Sequence, residues 1–418
     1  MSEEEYFYVD VFPAGYGDCF MVRCADKGKK TNILIDGGLR DTYHKHLKYY
    51  LKEMKKNSEC IDLLVVTHID NDHIEGIIEF LRENNSCKNP ITIREIWHNG
   101  LIHLIPKEKR KKKEKATPED IKLIQGIIDV GVRKKRGKNV ADIGASEGVT
   151  LSSLILSGNY EKVWNRSFAY NSASIDNSKE PYISLHGVQI KLISPTELKL
   201  KKLKKIFLDN LRISSIFDKL GYDEAFEFNI INLLEEQMSL QNISSESLDF
   251  NIPELLKEPN TSDSSVANGS SIAFSLKFLG YKALFLGDSH SSTIKNIPRD
   301  SKNFNFVKVS HHGSKSNSSK KINEYIEGEV YLFSTDGSHE NFKHPNLVTI
   351  ARIVKDKKKR DLVFNYPIDL CTSLKNDLEY NYRKIINKKG YILRYDIINN
   401  KYYFIKASKK GITIHEYS

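Results

Sequence analysis

The chain has little cysteine and no long apolar run, and both absences limit what it can be. Its 418 residues include five cysteines, an odd number without a CxxC spacing. This argues against a disulfide framework and a cysteine-based zinc site, and it favours reduced thiols in a cytoplasm. No run approaches the ~18 apolar residues that cross a bilayer. The acidic start, Met1 to Glu5, lacks the features of a secretory signal. We therefore expect a cytoplasmic protein with no membrane contact.

Positive charge is in excess along the chain. The formal net charge is +10, and the sequence pI is about 9.0. Such a balance favours polyanionic partners, of which nucleic acid is the main candidate. Two runs, residues 107–115 and 133–138, consist almost wholly of charged, mostly basic residues. They would suit phosphate contacts, but solvated loops without function show the same pattern.

The order of strand-like and helix-like segments predicts an α/β protein. Short alternating strands separated by turn residues fill the start of the chain, and alternating strands and helices resume near residue 271. The intervening stretch is charged and then rich in Ser and Asn. The end of the chain predicts a β-hairpin around Asn399-Asn400. These changes divide the sequence into a first half of the fold, an insertion or cap, a second half and a C-terminal extension: 1–105, 106–264, 265–360 and 361–418.

A cluster of potential metal ligands directly follows an apolar strand. After Ile61 to Val66 the chain reads Thr67-His68-Ile69-Asp70-Asn71-Asp72-His73. Mixed imidazole and carboxylate donors suit Zn, Mn or Fe better than Ca. The spacing of two between His68, Asp70 and Asp72 lets an extended turn aim them to one side, while Asp72 and His73 can face a second ion. The alternative is a polar loop that happens to be rich in His and Asp.

Three later segments share this form, with potential ligands placed after an apolar strand. They centre on Asp288, on the pair His311-His312, and on His344. A carboxylate after a strand and a glycine can bridge two ions ~3.5–4 Å apart. Alone, Asp288 would be more typical of a helix cap and His344 of a loop, but their order behind the first cluster favours one shared site. His98 is a spare candidate ligand, or a packing residue.

These segments together carry a resemblance to a known family. It covers about residues 6–105 and 265–360, and it rests on Gly17-Asp18, Leu34-Ile35-Asp36-Gly37-Gly38, Thr67 to His73, Asn268-Gly269-Ser270-Ser271, Leu286-Gly287-Asp288, Val309 to Ser314 and His344-Pro345. The series resembles the metallo-β-lactamase superfamily, in particular the metallohydrolase domain of ComEC/Rec2-type DNA-uptake proteins and its stand-alone relatives. Asp70 stands where the superfamily usually has a second histidine. The segment Asn268 to Ser271 replaces another usual histidine ligand, and ComEC-like members share both departures.

The resemblance implies a fold and a ligand set. The fold would be an αββα sandwich with the site at one edge, carrying a large, mostly helical insertion and a small C-terminal β extension. Two divalent ions, Zn or Mn, would bind. His68 and Asp70 would hold one ion and Asp72 and His73 the other, and Asp288 would bridge them. One of His311 and His312 would complete the ligand set of the second ion. We favour His312 as this ligand and His311 as an acid or substrate contact.

The resemblance also implies hydrolytic chemistry. Two ions lower the pKa of bound water to near 7 and so supply hydroxide at neutral pH. Asp72, His311 and His344 are the candidate catalytic residues. We expect a phosphodiesterase or nuclease, in a prokaryotic defence or DNA-processing system and with a possible partner protein from the same operon. The alternatives are a small-molecule hydrolase acting on a lactone, ester, amide or cyclic nucleotide, and a non-catalytic, metal-stabilised subunit of a larger complex.

Overall fold

The computed structural model of the protein describes five stretches of the chain. They are residues 5–104, 151–211, 252–339, 343–367 and 382–417. The two basic runs lie outside these stretches, as does much of the insertion predicted at 106–264. None of the helices within the described stretches is both long enough and apolar enough to cross a membrane.

Sixteen described strands form two sheets of eight. The strands are β1 (Tyr6–Val11), β2 (Phe20–Asp26), β3 (Lys29–Ile35), β4 (Leu63–Val65), β5 (Ile96–Trp97), β6 (Ile183–Leu185), β7 (Val188–Ser194), β8 (Ala273–Phe278), β9 (Tyr281–Phe285), β10 (Asn303–Lys308), β11 (Glu327–Phe333), β12 (Arg360–Phe364), β13 (Tyr382–Ile386), β14 (Ile392–Asp396), β15 (Lys401–Ser408) and β16 (Gly411–Glu416). The first sheet has the order β16-β15-β14-β1-β2-β3-β4-β5. The second has the order β13-β12-β11-β10-β9-β8-β7-β6.

The described stretches contain ten helices. They are α1 (Arg40–Thr42), which continues through a π-helical turn at Tyr43–Leu47 into α2 (Lys48–Lys56), then α3 (Asn71–Ser86), α4 (Leu101–Leu104), α5 (Leu151–Ser157), α6 (Glu197–Leu211), α7 (Ile252–Leu255), α8 (Val266–Gly269), α9 (Ile322–Tyr325) and α10 (Leu347–Val354). Short 3₁₀ turns lie at Arg166–Phe168, Ser291–Asn296, Arg299–Ser301 and Ser310–Gly313.

Alternation along the strands explains the layered packing. Phe7, Val9 and Val11 of β1 face the second sheet and lie in the core between the two sheets. On the outer face of the first sheet, Leu34 of β3 packs in a second core with Ile77 of α3 and other residues of that helix and α2. A third core joins α10 to the outer face of the second sheet. The αββα sandwich predicted from the sequence is thereby confirmed.

The sheets cross the segment boundaries predicted from the sequence. β6 and β7 fall within 106–264, yet β7 pairs with β8, so the second sheet begins inside the predicted insertion. Within 361–418, β13 pairs with β12 in the second sheet, and β14 pairs with β1 in the first. These strands belong to the two sheets because their backbones pair with strands of the core. A local sequence pattern does not reveal such pairing. The predicted hairpin around Asn399-Asn400 is present as β14 and β15.

A buried ion pair fastens the C-terminal strands to the start of the chain. Arg394 of β14 donates two hydrogen bonds to Asp10 of β1, with N···O distances of 2.6 and 2.7 Å. The hydroxyl of Tyr50 in α2 also donates to Asp10, and the Arg394 guanidinium lies over the ring of Tyr8. Asp10 is fully buried, so this pair links β1, β14 and α2 where water does not reach.

We predict that Arg394→Met destabilises the fold. Removing one partner of a buried ion pair leaves the other charge unpaired, at a cost of about 3–5 kcal/mol in the free energy of unfolding. Arg383→Met is the matched control, because the Arg383 side chain is 58% exposed in its pair with Asp361 and its loss should cost about 0–1 kcal/mol. Denaturant unfolding measures both variants. Equal losses in the free energy of unfolding would show that the buried pair stabilises the fold no more than the control pair does.

Candidate metal centre

The potential ligands meet at one edge of the sandwich, where parallel strands from both sheets end. β3 and β4 are parallel, as are β9, β10 and β11, so the loops after these strands emerge on one side. The loop after β4 carries His68, the loop after β9 carries Asp288, and the loop after β10 carries His312. The amide of Ile272 donates to the carbonyl of Thr67 at 2.9 Å and so joins the loops of the two sheets.

Glycines let two loops lie directly against the start of α3, the helix that carries Asp72 and His73. A Cβ on Gly17 would lie 1.8 Å from the carbonyl oxygen of Asp72. A Cβ on Gly76 would lie 2.0 Å from the carbonyl oxygen of Gly37. No side chain fits in these gaps, and the close approach fixes the helix relative to the loops after β1 and β3.

Three non-glycine residues at the centre have left-handed backbones. The φ angles are +53° at Asp36, +45° at His311 and +52° at His312. Each such conformation costs on the order of 1–3 kcal/mol and persists only where the surroundings fix it. Strain of this kind clusters at functional sites, so its location agrees with the choice of these residues from the sequence.

Asp288 lies at the middle of the centre. Its Oδ2 atom is 3.4–3.9 Å from the Nε2 atoms of four imidazoles, which belong to His312 (3.4 Å), His73 (3.5 Å), His311 (3.7 Å) and His68 (3.9 Å). The carboxylate is almost completely buried. One oxygen atom thus faces four potential nitrogen donors, which come from the loop after β4, from α3 and from the loop after β10.

Hydrogen bonds on the far side of two rings fix which nitrogen faces Asp288. Nδ1 of His73 donates to Oδ2 of Asp36 at 2.8 Å, and Nδ1 of His312 donates to the carbonyl of Ser334 at 2.7 Å. With the proton on Nδ1, Nε2 of the neutral ring carries a lone pair. Neither Nε2 has a hydrogen-bond partner among the described residues. Metal-binding histidines show this arrangement, with one nitrogen anchored and the other facing the ion.

His68 is anchored in the same way. The hydroxyl of Thr67 donates to Asp36 at 2.7 Å, so its oxygen accepts from Nδ1 of His68, which is 3.0 Å away. Nε2 of His68 also lacks a hydrogen-bond partner within the described chain, and it lies 3.4 Å from Oδ2 of Asp70. Asp36 therefore orients two imidazoles, one directly and one through Thr67.

A buried lysine balances part of the negative charge. The ammonium of Lys308, at the end of β10, forms an ion pair with Asp18 and lies 3.5 Å from Oδ1 of Asp288. It also donates to the carbonyl of Gly287 at 3.1 Å. Lys308 therefore takes the Oδ1 side of Asp288, while Oδ2 faces the imidazoles.

The pKa values reflect this packing of opposite charges. Burial alone would raise the pKa of Asp288, but His312 and His73 hold it well below its ordinary value. Burial alone would lower the pKa of His73, but Asp288 and Asp72 hold it well above its ordinary value. The centre is thus a buried anionic pocket that favours positive charge, as a cation site requires.

The structure brings together most of the residues predicted from the sequence. The donor atoms of four sets lie within 4.8 Å of one another, and these sets are His68, His73 and Asp288; Asp72, His73 and His312; Asp18, Asp36 and His73; and Asp18, Asp288 and His312. Asp70 lies beside the first set. His311 and His98 fall in none of the sets found in the described stretches.

Two predicted histidines make ring contacts and belong to none of these sets. The ring of His344 packs edge-on against His311, with centroids 5.2 Å apart. The ring of His98 stacks on Trp164 at 6.1 Å. The interpretation of His98 as a packing residue agrees with this contact.

Sequence reasoning missed Lys308 and Asp263. A lysine inside the apolar strand β10 was a usable signal, because a buried ammonium needs a carboxylate partner. Asp263 comes from the Ser- and Asn-rich segment, and no local pattern distinguishes it. It lies 3.6 Å from Nδ1 of His311.

Part of the chain is similar to a known protein family. Residues 12–135 match the metallo-beta-lactamase superfamily model. Members of this superfamily are generally hydrolases and typically bind metal ions. No curated protein matches the chain significantly. The matched stretch includes the first ligand cluster and the loops that carry Asp18 and Asp36. The His and Asp groupings at the sheet edge are able to hold metal ions, in agreement with this match.

We predict that Asp36→Asn weakens metal binding. Oδ1 of Asp36 accepts from the backbone amide of Thr67, and Oδ2 accepts from the Thr67 hydroxyl and from Nδ1 of His73. Asparagine has only one accepting oxygen and must lose part of this set, and loss of such support typically costs about 10–100-fold in affinity. Isothermal titration with Zn²⁺ and Mn²⁺ measures the change. Asp62→Asn is the matched control, since Asp62 is a buried carboxylate that accepts the amide of Asn32 instead. Unchanged affinity in Asp36→Asn would remove Asp36 from the support of the centre.

Proposed function

We propose that the protein is a dinuclear, metal-dependent phosphodiesterase, with nucleic acid as the preferred substrate. The observation that carries the proposal is the position of Asp288, whose Oδ2 atom faces several imidazole Nε2 atoms at 3.4–3.9 Å. Three of these nitrogens, on His68, His73 and His312, are buried without a hydrogen-bond partner among the described residues. A buried nitrogen without a hydrogen bond destabilises the folded protein unless a cation binds it.

The donor set fits two divalent ions. His68 and Asp70 would serve the first ion, Asp72, His73 and His312 the second, and Asp288 both. The mixed nitrogen and oxygen donors suit Zn²⁺ or Mn²⁺. When bound, such ions activate water and stabilise the charge that develops during hydrolysis.

The other polar residues of the centre would hold this donor set in place. Asp36 and the carbonyl of Ser334 fix two imidazole rings, and Lys308 offsets the charge of Asp18 and Asp288. Because these partners are buried and already hydrogen-bonded, the ligands need little rearrangement to bind ions.

A phosphodiester fits the charge of the protein. The net charge of +10 favours a polyanion over a neutral ester or amide. The basic runs at 107–115 and 133–138 would add phosphate contacts. Cleavage of a long polyanion should weaken steeply as salt rises, because each phosphate contact releases counterions.

We predict metal-dependent hydrolysis that requires Asp288. Purified protein would be assayed on single- and double-stranded DNA, RNA and bis(p-nitrophenyl) phosphate, with Mn²⁺ or Zn²⁺ and after treatment with a chelator. Asp288→Ala should lose activity and bound metal but keep its circular dichroism spectrum, because the ligand lies in a loop. The matched control Asp300→Ala changes an exposed aspartate in a 3₁₀ turn and should behave as the unmodified protein.

The substrate arms separate the alternatives. Cleavage of polymers, lost in Asp288→Ala, would support a nuclease. Cleavage of the small phosphodiester alone would contradict the nucleic-acid preference and indicate a small-molecule phosphodiesterase. Metal binding without turnover on any phosphodiester would contradict the proposal and favour an ester or amide substrate or a non-catalytic subunit. Full activity in Asp288→Ala would exclude a centre built around this carboxylate.

A further inference from the structure

Asp263 is a well-held carboxylate next to the centre, in the loop before α8. Its Oδ2 atom accepts from the amide groups of Asn268 (2.8 Å) and Asn317 (2.9 Å), and Oδ1 accepts from the backbone amide of Ser265 (2.8 Å). Only 9% of the side chain is exposed. Three donors thus fix this carboxylate, which belongs to none of the four donor sets found in the described stretches.

This carboxylate lies behind the ring of His311. Nδ1 of His311 is 3.0 Å from Oδ1 of Asn317 and 3.6 Å from Oδ2 of Asp263. Nε2, on the opposite side of the ring, is 3.7 Å from Oδ2 of Asp288. The ring therefore has one side fixed by Asp263 and Asn317 and the other side turned toward the centre.

His311 differs from the neighbouring imidazoles in exposure. Its side chain is 23% exposed, whereas those of His68 and His73 are 0% and that of His312 is 5% exposed. It also joins none of the sets of donor atoms within 4.8 Å that the described chain contains. His311 is thus the imidazole around Asp288 that a substrate can most readily reach.

A buried arginine forms hydrogen bonds with both loops that contact the Nδ1 side of His311, the loop with Asp263 and the loop with Asn317. Arg352 of α10 donates to the carbonyl of Pro259, four residues before Asp263, at 3.0 Å. It also donates to the carbonyls of Lys315, at 3.0 Å, and Ser318, which flank Asn317. The guanidinium is fully buried, so the relative position of Asp263 and Asn317 is fixed by the core under α10.

We propose that Asp263 is a positioning residue that, with Asn317, turns Nε2 of His311 toward the reaction centre, so that His311 contacts the substrate and is not a metal ligand. This inference rests on the proposed phosphodiesterase function, in which the contact would be to an oxygen of the phosphodiester. Asp263 comes from the segment 106–264, so the predicted insertion would contribute directly to the site.

The test compares Asp263→Asn with the unmodified protein and with Glu254→Gln, a carboxylate-to-amide control on the exposed surface of α7. In Asp263→Asn we expect kcat to fall about 10–100-fold, as for loss of a supporting partner, with KM and bound metal unchanged. Asn317→Ser should act in the same direction. His311→Ala should lower kcat at least as far, and adding Asp263→Asn to it should cause no further loss.

Three outcomes would overturn the proposal, one in metal content and two in kcat. One is loss of metal from Asp263→Asn or His311→Ala, which would make His311 a ligand. Another is a further fall in kcat when the two changes are combined, which would show that Asp263 acts independently of His311. An Asp263→Asn protein with normal kcat would also contradict it.

A spectroscopic arm separates this inference from the proposed function. In protein labelled with ¹⁵N-histidine, Zn²⁺ should shift the Nε2 resonances of His68, His73 and His312 and leave that of His311 near its original position. Asp263→Asn should shift the His311 resonances selectively. A ligand-type shift of His311 would overturn the inference even if no substrate is cleaved. Absence of hydrolysis with the expected shifts would contradict only the phosphodiesterase.

Discussion

The burial of several carboxylates at one edge of the sandwich is the constraint on which the rest of the structure depends. Asp18, Asp36 and Asp288 are almost inaccessible to solvent, and ionised carboxylates are stable there only if opposite charge or donors surround them. Lys308 supplies a fixed positive charge, Thr67 and His73 supply donors to Asp36, and the imidazoles surround Asp288. The negative charge of Asp288 is not fully balanced on the side where Oδ2 faces imidazole nitrogens that lack a hydrogen-bond partner in the described chain. Cations would bind on this side.

Neither half of the fold holds this pocket by itself. The first sheet supplies the loop with His68 and the start of α3, while the second sheet supplies Asp288, Lys308 and His312. Backbone hydrogen bonds between the loops and the core between the sheets fix one half against the other. The ion pair of Asp10 with Arg394 adds the C-terminal strands to this framework. Stability of the sandwich and geometry of the centre are therefore closely linked.

The residues around the ligands have separate tasks. Asp36 and Ser334 orient imidazoles through Nδ1, and left-handed backbone at His311 and His312 directs two successive side chains to different surroundings. Nδ1 of His312 donates to the carbonyl of Ser334, directly after β11, whereas Nδ1 of His311 faces Asp263 and Asn317. Adjacent histidines can thus have different roles, which their sequence does not distinguish.

Alternation and ligand spacing are local properties of the chain, and they were enough to predict an α/β protein and the strand-then-ligand segments. The αββα sandwich and the set of residues around Asp288 were implied by the resemblance to a known family that these segments carry. The extent of each sheet depends on long-range pairing, since β7 and β14 join the sheets by pairing with strands distant in sequence. The tertiary structure also places Asp263 near Nδ1 of His311 and Lys308 near Oδ1 of Asp288. The pairing of β1 with β14 joins residues hundreds of positions apart. Burial, and not a local pattern, determines which charges must meet.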